Sequence, residues 1–257
     1  MGLRPIPESA WLPPVDDAIE RAADRRRLLD ARPDAHFACP PEAYEAAAEL
    51  LALIAPEVHA TGAEALREIA ARVPDDVCLL TPDDPPRLRA AVLTASTGWR
   101  LGDKLDRDLT EIHDPVDGLE ARIGDRMRSF CARLPDDRIF ERGNWALYDD
   151  DAWDRSEGPA IGPSVAARGD RAEVTEMLWL RTERQTLRRL PRTRWLVFTI
   201  RIHRHPVTDL AYHPERARHL LEAVGSLDAD ERRGRRLELV GAGLETWLRS
   251  VIRSTPS

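Results

Sequence analysis

Lysine is nearly missing from this chain: Lys104 is the only one among 38 basic residues. Arginine therefore carries almost all positive charge, and the runs at 25–27, 188–189 and 232–236 lose value as functional signals. Cysteine is scarce too. Cys39, Cys78 and Cys131 are odd in number and widely spaced, which excludes a disulfide framework, a zinc knuckle or an iron–sulfur motif and fits a reducing compartment. No apolar run is long enough to span a bilayer, since Ala46–Ile54 is short and interrupted by Glu49. The opening MGLRPIPESAWLPP has no apolar signal core, so a cytoplasmic protein is expected. No Gly-x-Gly-x-x-Gly or phosphate-binding loop follows a strand pattern, which argues against a nucleotide fold. A net charge of -7 argues against nucleic acid as the main partner.

What remains has the make-up of a soluble globular protein. Its 257 residues are 42% hydrophobic and 32% charged, enough for one large domain with a substantial core. After a Pro-rich arm over 1–14, apolar spacing predicts helices over 16–29, 41–54 and 61–73. Strands are expected at 77–80 and 88–96, then helices at 101–113 and about 119–134. Residues 144–148 begin the next strand. The stretch 149–171 is acidic, contains Gly and Pro, and lacks periodicity, so it reads as a long loop, mobile or covering a site. A hairpin at 177–187 and 195–202 follows, and helices at 214–224 and 227–250 close the chain. Strand, strand, helices and three strands is the order of a PAS-like α+β domain. That gives one domain over 1–257, with an N-terminal helical region 1–75, a PAS-like core 76–210 and C-terminal helices 211–257.

The hairpin RTERQTLRRLPRTRWLVFTIRI puts charge where an ordinary strand pair does not. Alternation places Arg181, Glu183 and Gln185 on one face, and Thr182, Arg184 and Thr186 on the other. Such a strand is either a solvated hairpin carrying cross-strand ion pairs or one that lines a cavity.

Together with TGWRLGDKLDRDLTEIHDPVDG and RGNWALY, this run resembles the haem-dependent oxidative N-demethylase family, whose founding activity is oxidation of dimethylamine. The resemblance rests on Trp99, Lys104, Ile112 to Gly118, Asn144 with Trp145, Arg181 to Pro191 and Phe198 to Arg201, in the family's order. Two positions depart from the family pattern. Asp117 stands where the family has a second proline, and Ile202-His203 where it has Thr-Tyr, which puts the substrate in question more than the fold or the haem.

The resemblance implies a haem b cofactor with His113 as iron ligand. Read alone, a histidine at a helix end before Asp114-Pro115 fits a capping cation as well as a ligand. His203, His205 and His213 are the competing histidines, but no carboxylate stands at metal spacing with them. The resemblance further implies Glu183 and Arg181 as the catalytic pair, Glu183 holding the amine, with Arg184 and Arg201 near the cofactor and Trp99, Asn144 and Trp145 at its border. Salt bridges within the hairpin are the plain alternative for the charged residues. Oxidative demethylation needs dioxygen and two electrons. Lacking dinucleotide and cluster motifs, the chain is expected to take them from a separate NAD(P)H-dependent flavin and iron–sulfur reductase. A haem-binding sensor, or a non-catalytic haem-binding module, is the alternative reading.

Overall fold

A computed structural model of the chain describes residues 2–108, 111–112 and 127–254. It is an α+β protein built on one antiparallel sheet. The strands are β1 Arg4–Ile6, β2 Phe37–Ala38, β3 Asp76–Leu80, β4 Leu88–Val92, β5 Ile139–Tyr148, β6 Trp179–Arg189 and β7 Leu196–Pro206, in the order β1-β5-β6-β7-β3-β4-β2. The helices are α1 Ala18–Ala31, α2 Pro33–His36, α3 Tyr44–Ile54, α4 Ala63–Arg72, α5 Leu101–Lys104, α6 Pro163–Ala166, α7 Pro214–Gly225, α8 Ala229–Gly234 and α9 Leu237–Arg253.

Strand alternation divides the sheet into two faces, and each is covered. On the face that carries Arg184, α3 and α4 pack Leu50, Leu51, Leu66 and Ile69 over Val77, Leu79, Val92 and Val197. Farther along the same face, α9 lays Leu237, Val240, Leu244 and Leu248 over Trp145 and Leu147. The three- and four-residue spacing of those α9 side chains makes one apolar stripe, and each fully buried side chain contributes roughly 1.5–3 kcal/mol. The face that carries Glu183 packs Cys78, Leu80, Ala91, Ile200 and Ile202 against Leu101, Cys131, Leu134 and Trp153.

Polar residues on the Arg184 face staple the N-terminal arm to the sheet. Arg184 Nε donates to Glu141 Oε2 at 2.7 Å, and its Nη1 donates to the Trp11 carbonyl at 2.7 Å. Arg188 lies over the Trp11 ring at 4.2 Å and donates to Glu8. Trp11 Nε1 donates to Thr186 Oγ1 at 3.1 Å. The arm thus becomes a strand, β1, paired with Ile139–Glu141, where the sequence reads only an extended Pro-rich stretch.

The hairpin forms as expected, with Thr186 opposite Thr199 and Glu183 opposite Ile202. Other boundaries move. The helix expected over 101–113 stops after one turn at Lys104, because Leu105 is extended, Asp106 takes a positive φ of 64° and Asp108 bridges to Arg87. The strand expected to run to Ser96 ends at Val92, because the backbone N–H groups of Thr94 and Ala95 turn to the buried Asp76 carboxylate at 2.9 and 2.7 Å. β5 begins at Ile139, five residues early, where β1 gives it an outer partner.

The long loop is fixed at several points. Within it α6 is regular, and a 3-10 helix, Ala172–Met177, follows directly after the loop. Gly243 N–H of α9 donates to the Gly169 carbonyl at 2.9 Å, and a Cβ at Gly243 would lie 2.2 Å from the Arg171 carbonyl oxygen. Only glycine allows that approach.

Candidate functional site

Three strands bring the site together on the Glu183 face. In the β5–β6 register Glu183 is opposite Asn144 and Gln185 is opposite Arg142, while β7 sets Ile202 and Ile200 on their other side. A chain of hydrogen bonds follows from that register. Arg142 Nε donates to Gln185 Oε1 at 2.6 Å, and Gln185 Nε2 donates to Glu183 Oε2 at 2.6 Å. From the other side, Arg235 Nη2 donates to Asn144 Oδ1 at 3.1 Å, and Asn144 Nδ2 donates to Glu183 Oε2 at 3.3 Å.

Glu183 is 7% exposed, and among the described residues no arginine comes within salt-bridge distance of it. Neutral amides stand between the carboxylate and the guanidinium on each side. Both donors converge on Oε2, and no described residue donates to Oε1. A carboxylate oxygen left open on a largely buried side chain is suited to a cationic donor. Arg142 is the complementary case: among the described residues its one side-chain hydrogen bond goes to a neutral amide, and burial lowers its pKa while the Glu183 charge opposes that shift.

Arg181 shares the face but performs a different task. It is 2% exposed and donates to the carbonyls of Ala95 at 2.5 Å, Ala152 at 3.1 Å and Trp153 at 3.0 Å, and to Thr97 Oγ1 at 3.2 Å. It ties the segment after β4 to the long loop. Burial lowers its pKa, and the same desolvation raises that of Tyr148, whose ring centre lies 5.7 Å from the guanidinium. Next to this clamp Trp153 sits between two cations, Arg21 at 3.7 Å and Arg204 at 3.5 Å from its ring centre. Burial pulls Arg21 down to about 9.

The remaining candidates separate by face. Asn144 joins the hydrogen-bond chain beside Glu183. Trp99 is half-buried against the apolar cluster of the Glu183 face, as are Leu105, Ile112, Met127 and Phe130. Trp145 lies on the opposite face in the α9 core, with Arg235 stacked 4.8 Å from its ring centre. Arg184 and Arg201 are on that opposite face as well. Arg201 Nε and Nη2 donate to Asp75 Oδ2 at 3.0 and 2.6 Å, and Nη1 donates to the Pro13 carbonyl at 2.6 Å. His203 also faces that way, with its pKa lowered by burial and by Arg201 and His205. His113 lies outside the described residues.

Sequence reasoning missed Arg142, Arg235 and the bridging role of Gln185. Arg142 stood beside the Asn144-Trp145 pair, and a correct β5 start would have put it opposite Gln185. Nothing in the sequence signals that Arg235, from the turn between α8 and α9, reaches Asn144. Of the two departures at the end of the Phe-Thr-Ile-Arg run, Ile202 is directly opposite Glu183, and His203 points away from it.

The Glu183 face also has the chemistry to hold a haem. Phe140, Leu187, Phe198, Ile200 and Ile202 form an apolar strip on it, and beside that strip lie the terminal N–H groups of Arg142, which have no hydrogen-bond partner among the described residues. No group of three or more histidine, cysteine or carboxylate side chains is poised for a metal among the described residues. A haem needs an apolar wall and one axial side chain; the described residues supply the wall, and the axial candidate His113 lies outside them. No described helix is long and apolar enough to cross a membrane.

A protein-family model described as haem-dependent oxidative N-demethylase, alpha subunit-like, matches residues 55–242, which include β3 to β7. No curated protein matches the chain.

Proposed function

The chain belongs to the haem-dependent oxidative N-demethylase, alpha subunit-like family, and from that premise we propose that it is a monooxygenase-type oxidoreductase that removes a methyl group from a small N-methylated amine. The observation that carries this reading is the largely buried Glu183 side chain, held by neutral amides through Oε2, with no described residue donating to Oε1. The balanced reaction consumes the amine, one dioxygen, two electrons and two protons, and yields the demethylated amine, formaldehyde and water.

Haem b would be held by His113 and by the apolar strip of β5, β6 and β7, and would supply dioxygen activation when bound. Glu183 Oε1 accepts the ammonium N–H of the amine. Gln185 and Asn144 hold the carboxylate in one orientation through Oε2, so the methyl group is presented in one direction. Ile202, opposite Glu183, keeps water from the methyl side. Arg181 secures the segment 95–97 and the loop at 152–153, and so closes that end of the face.

The central strand order β4-β3-β7-β6-β5, with the 101–134 segment inserted after β4, supports reading the sheet as PAS-like, a sheet that holds its ligand against inserted helices. Electrons come from a separate NAD(P)H-dependent flavin and iron–sulfur reductase.

The test is formaldehyde release by the haem-loaded protein with dimethylamine, dioxygen and a flavin and iron–sulfur reductase. Amine-dependent formaldehyde that is lost in Glu183→Gln is the expected result. A haem-loaded protein that releases none with any N-methylated amine contradicts the reading.

A further inference from the structure

The amine is only part of what this site is built to hold. Arg142 and Glu183 occupy the same face of adjacent strands at diagonal positions, Arg142 opposite Gln185 and Glu183 two residues before it. Diagonal neighbours of this kind stand roughly 7–8 Å apart at the backbone, within joint reach of one small ligand. The two charges do not satisfy each other: Gln185 accepts from Arg142 and donates to Glu183, and it keeps them apart. Among the described residues both groups therefore retain open valence on one face, a carboxylate oxygen and the terminal N–H groups of a guanidinium. Arg235 differs, since its two terminal nitrogens reach the Trp145 carbonyl and Asn144.

We propose that the substrate is a zwitterion, an N-methylated amino acid, whose ammonium is held by Glu183 and whose carboxylate is held by Arg142. This rests on the demethylase reading above and names its substrate class. A haem propionate at Arg142 would bring a second anion beside Glu183 with no cation between them, whereas the ammonium of a zwitterion offsets the Glu183 charge. A simple alkylamine leaves Arg142 half-buried without an anion, and a zwitterion satisfies both ends at once. Ile202 opposite Glu183 fits the N-methyl carbon, and it stands at one of the positions where the chain leaves its family's pattern.

Titration of the haem-loaded protein with N,N-dimethylglycine and with dimethylamine, followed by the Soret change and by calorimetry, tests this. The wild type is expected to bind N,N-dimethylglycine about tenfold or more tightly than dimethylamine, the size of one charge-assisted hydrogen-bonded contact. In Arg142→Gln that ratio should fall to about one, and Arg142→Lys should keep part of it. Equal affinities in the wild type overturn the zwitterion proposal and leave the demethylase reading standing. So does loss of haem from Arg142→Gln with the fold intact by circular dichroism, which assigns Arg142 to the cofactor. Binding of neither compound to haem-loaded wild type overturns both.

Discussion

Gln185 stands between Glu183 and Arg142, accepting from one and donating to the other, at 2.6 Å in each case. Its side chain fixes the carboxylate and at the same time prevents the arginine from neutralising it. Gln185→Leu should remove both effects. The variant leaves a buried carboxylate and a guanidinium without their amide partner, a loss of about 1–3 kcal/mol. Urea unfolding should show a lowered midpoint, and amine affinity should fall with it. An unchanged midpoint contradicts the bridging role.

Arg181→Met should destabilise the protein by roughly 3–5 kcal/mol, because carbonyls on two segments lose a buried charged donor together. Limited proteolysis should then cut within 149–171, a segment that Arg181 ties to the Ala95 carbonyl in the stretch after β4. Wild-type protease resistance argues against the clamp.

The Arg201–Asp75 pair is nearly inaccessible to solvent and holds the arm at Pro13. Arg201→Met leaves Asp75 charged and alone, which should cost about 3–5 kcal/mol. Adding Asp75→Leu should recover part of that loss, since the orphaned charge disappears. A double variant less stable than the single one contradicts this.

His203 gives the acid side of the stability profile a defined sign. Burial, together with Arg201 and His205, holds its folded pKa below the usual 6.5. Once the pH drops below 6.5, the unfolded chain binds the proton that the folded one resists, so stability falls until the folded pKa is passed. His203→Gln should therefore lose less Tm than the wild type between about pH 7.5 and about pH 5. Equal losses contradict the shift.

The source of electrons is tested without any variant. NADPH alone should leave the haem of the purified protein oxidised under anaerobic conditions, and a flavin and iron–sulfur reductase should reduce it. Direct reduction by NADPH overturns the separate-reductase proposal.

Much of the Glu183 face was legible because strand alternation is local: RTERQTL sorts its own side chains, and the hairpin register follows from its two strands. The identity of each partner was less legible. Arg181, Arg184 and Arg201 look alike in sequence, yet one clamps carbonyls on the Glu183 face and the other two staple the N-terminal arm on the opposite face. That division depends on β1 pairing with β5, a contact between residues more than 130 positions apart with no local signature. The early end of α5 was hidden for a similar reason. Apolar spacing continues through Leu105, Leu109 and Ile112, while the Asp108 bridge to Arg87 and the turn at Asp106 impose a different path.

The central claim is a haem held against the Glu183 face with an amine beside it. Its most direct test is the absorption spectrum of protein produced with haem precursor, recorded during titration with N,N-dimethylglycine and dimethylamine. The expected result is a Soret band that shifts with added amine in the wild type, and that persists but no longer shifts at the same concentrations in Glu183→Gln. A purified, folded wild-type protein with no Soret band contradicts the claim, as does a band whose amine response is unchanged by Glu183→Gln.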